Sequence, residues 1–156
     1  MRLIFPWLLL LLLTILPAQA GSSPPKVLLR VNVQTTGEGL PATMATTISV
    51  PPDGEEIEIR ALPEVTEKDL IDVKQNPDNT VRFFFNHRGQ VNLSAATADN
   101  QGRILVLLID GYVAYAPIID QEISNGELDV PPSDHINPQY IKLLQQVAQR
   151  NAREAR

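Results

Sequence analysis

Hydrophobic residues form their densest run at residues 104–119, where six consecutive aliphatic residues lead into Asp110-Gly111 and a second apolar run follows. An Asp-Gly pair between two apolar runs is a strong signal for a two-residue β-hairpin, because a type I′ turn needs positive φ at both central residues. Both faces of the predicted hairpin are apolar, which is typical of a strand that is covered on both sides. We therefore predict that this hairpin forms the centre of a sheet and that the rest of the chain covers it.

The turn fixes the expected pairing of the hairpin, since side chains alternate between the two faces of a strand. The expected pairs are Ile109 with Tyr112, Leu107 with Ala114 and Leu105 with Ala116 on one face, and Leu108 with Val113 and Val106 with Tyr115 on the other. In this register the two tyrosines lie on opposite faces, so that one belongs to the core and the other is available to a partner. We predict that Tyr112 is the exposed one.

Other segments have the alternation or the β-branched and aromatic content that is typical of strands. These are residues 27–33, residues 45–50 and 57–60 as a second hairpin around Pro51-Pro52-Asp53-Gly54, residues 81–85, and residues 127–130. The second hairpin is rich in acidic side chains, which we interpret as a solvated face rather than as a metal site.

Helical signals occur at three places. Thr66 is a suitable cap for a short helix ending near Gln75, and Asn137 followed by Pro138 is typical of a helix start. The second of these helices has an apolar stripe formed by Ile141, Leu144, Val147 and Ala148. The third place, residues 89–98, is ambiguous, because its periodicity fits either a hairpin or a helix packed across the sheet.

The N-terminus has the three parts of a secretory signal peptide: one basic residue, a leucine-rich apolar block and an Ala-Gln-Ala ending at Ala20. The alternative is an uncleaved membrane anchor, but the apolar block at residues 3–16 is shorter than the roughly 20 residues that a spanning helix needs. We therefore predict cleavage after Ala20 and a periplasmic protein that does not span the membrane.

Charge and composition exclude several classes of function. The formal net charge is −5, and it becomes −6 when Arg2 leaves with the signal peptide. An acidic chain is poorly suited to bind nucleic acid or an anionic membrane. The absence of cysteine excludes a disulfide framework and a thiolate nucleophile.

The sequence contains no common catalytic or cofactor-binding motif: no nucleophile elbow, phosphate-binding loop, dinucleotide fingerprint or zinc-protease motif. His87 and His135 lie in predicted loops, and Asp110 is explained by the turn. Asp120 and Glu122 are a possible acid and base pair, but no pattern places a substrate beside them. We predict no metal, no small-molecule cofactor and no catalytic residue.

The pattern around the hairpin resembles the head subdomain of the large periplasmic domain of SecD, the accessory subunit of the bacterial protein-export translocase. The shared features are a glycine and a basic residue, an aliphatic strand ending in Asp-Gly, a strand ending in Ala-Pro, spaced isoleucines and a final glycine. In this chain they are Gly102, Arg103, Ile104, Ile109, Asp110, Gly111, Ala116, Pro117, Ile118 or Ile119, Ile123 and Gly126. The resemblance implies that residues 66–73 form a short helix and that residues 89–97 are helical.

The chain also departs from that family. We expect neither the family's transmembrane helices nor its base subdomain in this chain, and Pro131-Pro132 stands where the family tends to carry glycine. The resemblance therefore implies a similar fold and a periplasmic location. It gives hardly any support for the activity of an export motor. The division that we expect is a signal peptide at 1–20, a strand-rich segment at 21–62, a SecD-head-like domain at 63–148 and a basic tail at 149–156.

We predict an α+β fold with a mixed or antiparallel sheet centred on the hairpin and helices mainly on one face. Two functions remain open: a non-catalytic periplasmic binding module that contacts polypeptide or an envelope complex, and a small envelope enzyme or enzyme regulator on the same fold. For the first, Tyr112 and Tyr115 are the predicted partner-binding residues. Asp110, Gly111, Pro117 and Gly126 are predicted to be structural turn residues.

Overall fold

The computed structural model describes residues 26–36 and 41–155 of the chain. The predicted signal peptide lies outside these residues. The described residues form nine β-strands and two α-helices, namely β1 (Leu29–Val33), β2 (Ala45–Val50), β3 (Glu55–Arg60), β4 (Val65–Thr66), β5 (Leu70–Gln75), β6 (Val81–Phe85), α1 (His87–Asp99), β7 (Leu105–Ile109), β8 (Tyr112–Tyr115), β9 (Glu127–Val130) and α2 (Pro138–Glu154). Single turns of 3-10 helix lie at Ala42–Met44 and Glu67–Asp69.

The strands form three sheets, and every pairing between the described strands is antiparallel. The main sheet has the order β4-β1-β7-β8, the three-stranded sheet has the order β5-β6-β9, and β2 pairs with β3 alone. The predicted α+β class is confirmed. The N-terminal strand-rich segment contributes β1 to the centre of the main sheet, next to β7, while its second half forms the separate β2-β3 hairpin.

The strand β7 is buried on both faces, as predicted. The prediction that the whole hairpin forms the centre of the sheet is wrong for β8, which is the edge strand of the main sheet and is partly exposed. Leu105, Leu107 and Ile109 belong to the main core, which also contains the buried side chains of β1, β5, β6, β9, α1 and α2. The opposite face of β7 packs against two isoleucines of β3. The buried helix residues thus lie on one side of β7, and the β2-β3 hairpin covers its other side.

The predicted turn between β7 and β8 is confirmed, because Asp110 and Gly111 have φ of +50° and +87°. Only the first two predicted pairs are correct: Ile109 pairs with Tyr112 and Leu108 with Val113. A β-bulge then shifts the register, so that Leu107 pairs with Tyr115 instead of Ala114. An extra residue in one strand moves the following side chains relative to their partners, and a strict two-residue alternation cannot predict that.

The predicted helix at residues 66–75 is wrong. Thr66 and Asp69 do form a capping box, but the helical turn lasts only from Glu67 to Asp69. Residues Leu70–Gln75 form β5, which pairs with β6. Its carbonyl groups at Leu70 and Val73 accept hydrogen bonds from the side-chain amides of Asn151 and Gln145 on α2, at 2.8 and 3.0 Å. Tertiary pairing therefore overrides a local helix signal that is satisfied by a single turn.

The helical interpretation of residues 89–98 is confirmed by α1, whose cap Asn86 accepts a hydrogen bond from the N–H of Gly89. His87 is consequently the first residue of a helix and not a loop residue. The last helix, α2, begins after Asn137 with Pro138 in its first turn, and its four predicted stripe residues are buried. Among the described residues, no helix is long and apolar enough to span a membrane.

Candidate functional site: a groove between two open sheet edges

The strand β8 lies at the edge of the main sheet, and its outer side pairs with no other strand among those described. Ile109 and Tyr112 flank the two-residue turn and form the hydrogen-bonded pair that such a hairpin requires. The next pair, Leu108 with Val113, is therefore the non-hydrogen-bonded one, and the N–H and C=O of Val113 point away from β7. An open edge of this kind is a template for a further strand.

A cleft of about 630 Å³ runs along this edge of β8. We call it the proline cleft, because Pro51, Pro52, Pro131 and Pro132 line it. Val113 and Tyr115 border it on the β8 side, and His135 borders it on the opposite side. Its size lies within the range of about 300 to 1,000 Å³ that is usual for ligand sites.

A second cleft, of about 430 Å³, adjoins the first. Tyr115 lines both clefts, which places them end to end along the same sheet edge. We call the second one the acidic cleft, because four carboxylate side chains line it and no basic side chain does, namely Asp120, Glu122, Glu127 and Asp129. It lies between residues 117–119, which continue β8, and the strand β9.

The carboxylates of the acidic cleft differ in how they are neutralised. Arg82 on β6 contacts Asp129 through two hydrogen bonds of 2.6 and 2.7 Å, and it contacts Glu127 at 3.1 Å. The hydrogen bond to Asp129, followed by the charge of that carboxylate, raises the pKa of Arg82. Glu122 accepts a hydrogen bond from Ser94 on α1. In the described part of the chain, Asp120 has no ion-pair partner.

The two clefts together form one groove, which we call the edge groove; residues 113–119 border it on one side and residues 127–135 on the other. Tyr112 and His135 lie at one end, where their rings stack with centroids 5.2 Å apart and planes inclined by 9°. Residues 120–125 line the other end.

The predicted partner-binding residues both lie at the edge groove, but their arrangement differs from the prediction. Tyr112 is 59% exposed, as expected, and Tyr115 is half-buried against the main core. Their predicted location on opposite faces is wrong. Tyr112 pairs with Ile109 and Tyr115 with Leu107, and both partners have their side chains in the main core. Paired residues share a face, so the bulge brings both tyrosines to the same face.

Of the predicted turn residues, Pro117 lines the acidic cleft, and Gly126 lies between Asn125 and Glu127, which line it as well. The carbonyl of Pro117 accepts a hydrogen bond from Leu105, which extends the hairpin ladder beyond β8. Gly126 has φ of +73°, and a Cβ at this position would lie 2.9 Å from the Cβ of Gln90. The glycine therefore permits both the backbone conformation and the close approach to α1.

The sequence did not reveal the second border of the groove. Residues 120–135 contain few apolar positions, and the edge of β9 becomes part of the site only because β8 and β9 are the edges of different sheets. The alternation of Glu127 and Asp129 around buried Leu128 was a signal for an acidic strand face. No group of three His, Asp or Glu side chains within the described residues is arranged to hold a metal ion.

The sequence matches no protein-family model and no curated protein. Solved structures do resemble it. One is a structure of SecDF, a membrane component that enhances protein export, with 18% identity and a TM-score of 0.56 over 81% of this chain and 63% of that one. Another is SecDF in a super-membrane-facing form, with the same identity, TM-score and share of this chain, but only 19% of that chain. The chain thus spans less than two thirds of either SecDF structure, and it has a fold similar to part of SecDF.

Proposed function

We propose that this chain is a non-catalytic binding module of the bacterial envelope and that it holds an extended polypeptide at the edge groove. The observation that carries the proposal is the open edge of β8: Val113 lines the proline cleft, and the register of the hairpin directs its N–H and C=O away from β7. Main-chain groups recognise a polypeptide without regard to its sequence, whereas neighbouring side chains add a preference for particular residues in that polypeptide. This mode suits a partner that is unfolded and variable.

The similarity to SecDF supports a polypeptide as the partner. SecDF enhances protein export, and exported proteins are extended chains while they cross a membrane. The predicted signal peptide at residues 1–20 supports location in the same compartment. The intact mass of the protein recovered from the periplasm tests this part of the proposal: the expected chain begins at Gly21, and retention of residues 1–20 in a membrane fraction would contradict it.

Tyr112 is the side chain that we expect to anchor the polypeptide. It is exposed beside the open edge, and its stacking on His135 holds the ring in one orientation before a partner arrives. Tyrosine is common at binding hot spots, because a large rigid ring and a polar tip lose little conformational freedom on binding. Tyr115, between the two clefts, offers an apolar surface to the same segment.

The test is titration of a fluorescently labelled unfolded periplasmic protein into the wild-type protein and into the Tyr112→Ala variant, followed by anisotropy. We expect binding to weaken about tenfold, which corresponds to roughly 1.4 kcal/mol and is within the usual range for an aromatic anchor. The matched control is Val91→Ala, which truncates an exposed apolar side chain on α1 that lines neither cleft. Wild-type protein that binds no unfolded chain, or Tyr112→Ala protein that binds like the wild type, would contradict the proposal.

A further inference from the structure

We infer that the bound polypeptide lies as a β-strand between β8 and β9 and joins the main sheet to the three-stranded sheet. The inference rests on the proposed function, because it names the binding mode and the preferred sequence of the same polypeptide. It predicts that both borders of the edge groove, and not β8 alone, form hydrogen bonds with the main chain of the partner.

The first border presents free main-chain groups at Ile118. The N–H of Leu105 donates to the carbonyl of Pro117 at 2.9 Å, and the N–H of Ile119 donates to the carbonyl of Arg103 at 2.8 Å. These two bonds flank Ile118, which bridges to Ile104. In an antiparallel ladder the residue between two such bonds directs its own N–H and C=O outward. Ile118 is also 68% exposed, so its outer edge is accessible.

The second border presents free main-chain groups at Asp129. The N–H of Phe85 donates to the carbonyl of Gly126 at 2.9 Å, so the hydrogen-bonded positions of β9 alternate from Gly126 to Leu128 and Val130. Glu127 and Asp129 therefore direct their N–H and C=O away from β6. The N–H of Glu127 is already bonded to the side chain of Asn125 at 3.0 Å. Asp129 is the position on β9 where a new strand can pair.

The two borders run in opposite directions along the groove. Tyr112, at the start of β8, stacks on His135, which follows β9. At the other end, Pro117 and Glu127 line the same acidic cleft. A strand between them is antiparallel to one border and parallel to the other, and both kinds of pairing are stable. Its insertion would give one continuous sheet of eight strands, since it adds one strand to a four-stranded and a three-stranded sheet.

The charge of the groove specifies the occupant. Asp120 and Glu122 line the acidic cleft without any basic side chain in the lining, and Arg82 neutralises only the two carboxylates of β9. Side chains of a strand alternate between two faces. An extended segment with a lysine or arginine among apolar residues would therefore place its basic group by these carboxylates and its apolar groups by Tyr115 and Leu105. Such a segment of an unfolded polypeptide is the occupant.

Proline variants, each compared with an alanine variant at the same position, test the binding mode, because both lose the native side chain and only the proline variant also loses the main-chain N–H. Ile118→Pro and Asp129→Pro each remove one outward N–H, and proline is tolerated at a sheet edge where that N–H is not used in the fold. The matched controls Ile118→Ala and Asp129→Ala change the side chain but keep the N–H. We expect each proline variant to bind a labelled unfolded polypeptide roughly tenfold more weakly than its alanine control, which is the effect of losing about one hydrogen bond.

The outcomes separate this inference from the proposed function. Weakening by Ile118→Pro alone would mean that the polypeptide pairs with β8 only, and weakening by neither would mean that side chains alone bind it. Either result overturns the inference, while an effect of Tyr112→Ala would still support the proposed function. Wild-type protein that binds no polypeptide would overturn both.

Amide hydrogen exchange of the wild-type protein provides a second measurement that does not depend on the folding of any variant. We expect saturating polypeptide to protect the amides of both Ile118 and Asp129. Protection of Ile118 alone overturns the inference. A second copy of the chain could also fill the groove. If concentrated protein without polypeptide forms dimers and both amides are then protected, the inference is overturned.

Two synthetic peptides test the charge preference. They share one extended apolar sequence and differ only in a central lysine or glutamate. We expect the lysine peptide to bind about tenfold more tightly at low salt, and the difference to shrink as salt screens exposed charges. Equal binding of the two peptides would contradict the assigned role of the acidic cleft.

Discussion

The backbone N–H of Leu28 donates a hydrogen bond of 2.8 Å to the carboxylate of Asp110, 82 residues further along the chain. The N–H of Asp110 donates in return to the carbonyl of Leu28, also at 2.8 Å. This reciprocal pair extends the β1-β7 ladder to the tip of the hairpin. Asp110 therefore has two roles, since it supports a left-handed turn and also connects the N-terminal strand to the centre of the fold.

Replacing Asp110 by alanine should lower the free energy of unfolding by about 1 to 2 kcal/mol, because the N–H of Leu28 loses its acceptor and alanine tolerates positive φ less well than aspartate. Asp110→Asn is the matched control. It keeps a side-chain oxygen and tolerates the same conformation, and we expect a change within about 0.5 kcal/mol. Urea denaturation measures both variants. An equal loss in the two would show that the negative charge, rather than the acceptor, stabilises this contact.

Gly111→Val should lower the free energy of unfolding by about 1 to 3 kcal/mol, since a β-branched residue is strained at φ of +87°. No heavy atom lies within 4 Å of the position that a Cβ would occupy, so the penalty is conformational and not a clash. His87→Ala, at an exposed position, should remain within about 0.5 kcal/mol of the wild type. Equal denaturation midpoints for these two variants would contradict the role of Gly111.

Gly89→Ala should destabilise the protein by about 1 to 3 kcal/mol, although alanine is the better helix former by about 1 kcal/mol. Gly89 lies in the first turn of α1, and a Cβ there would lie 2.9 Å from the Cβ atoms of both Asp69 and Phe85. The helix would have to move away from β6. Val91→Ala on the same helix should change stability by less than about 0.5 kcal/mol. A Gly89→Ala protein that is more stable than the wild type in thermal unfolding would show that α1 accommodates the extra methyl group.

Local signals predicted the elements whose geometry depends on few residues. The Asp110-Gly111 turn was predictable because positive φ at consecutive positions selects a very small set of residues. The start of α2 was predictable because Asn137 and Pro138 act within one helical turn. The β2-β3 hairpin was predictable from Pro51 to Gly54, since these residues favour a turn whatever lies around them.

The edge groove was not predictable in the same way, because it depends on which strands become the edges of sheets. Tyr115 changes face through a bulge that has no clear sequence signature. The strand β9 borders the groove only because β6 covers its other edge. The error at residues 66–75 has a similar origin. Thr66 and Asp69 carry a correct helix-start signal, but pairing with the neighbouring strand β6 and contacts with α2, which is distant in sequence, determine the conformation of the residues after Asp69.

The contact between Asn151 on α2 and the start of β5 gives the last prediction. The side-chain amide of Asn151 donates to the carbonyls of Glu67 and Leu70 at 2.7 and 2.8 Å, and so it satisfies main-chain groups where the 3-10 turn becomes a strand. Asn151→Ala removes both hydrogen bonds and leaves two carbonyl acceptors without a partner at a partly buried interface. We expect it to lower the free energy of unfolding by about 1 to 3 kcal/mol.

Gln149→Ala is the matched control on the same helix, because its side chain is exposed and we expect a change within about 0.5 kcal/mol. Hydrogen exchange adds a local measure: amides of β5 should exchange faster in Asn151→Ala than in Gln149→Ala. If both variants unfold at the same urea concentration and β5 stays equally protected, the hydrogen bonds of Asn151 do not stabilise the start of β5, and the contacts of α2 with this strand depend instead on Gln145 and on the shared apolar core.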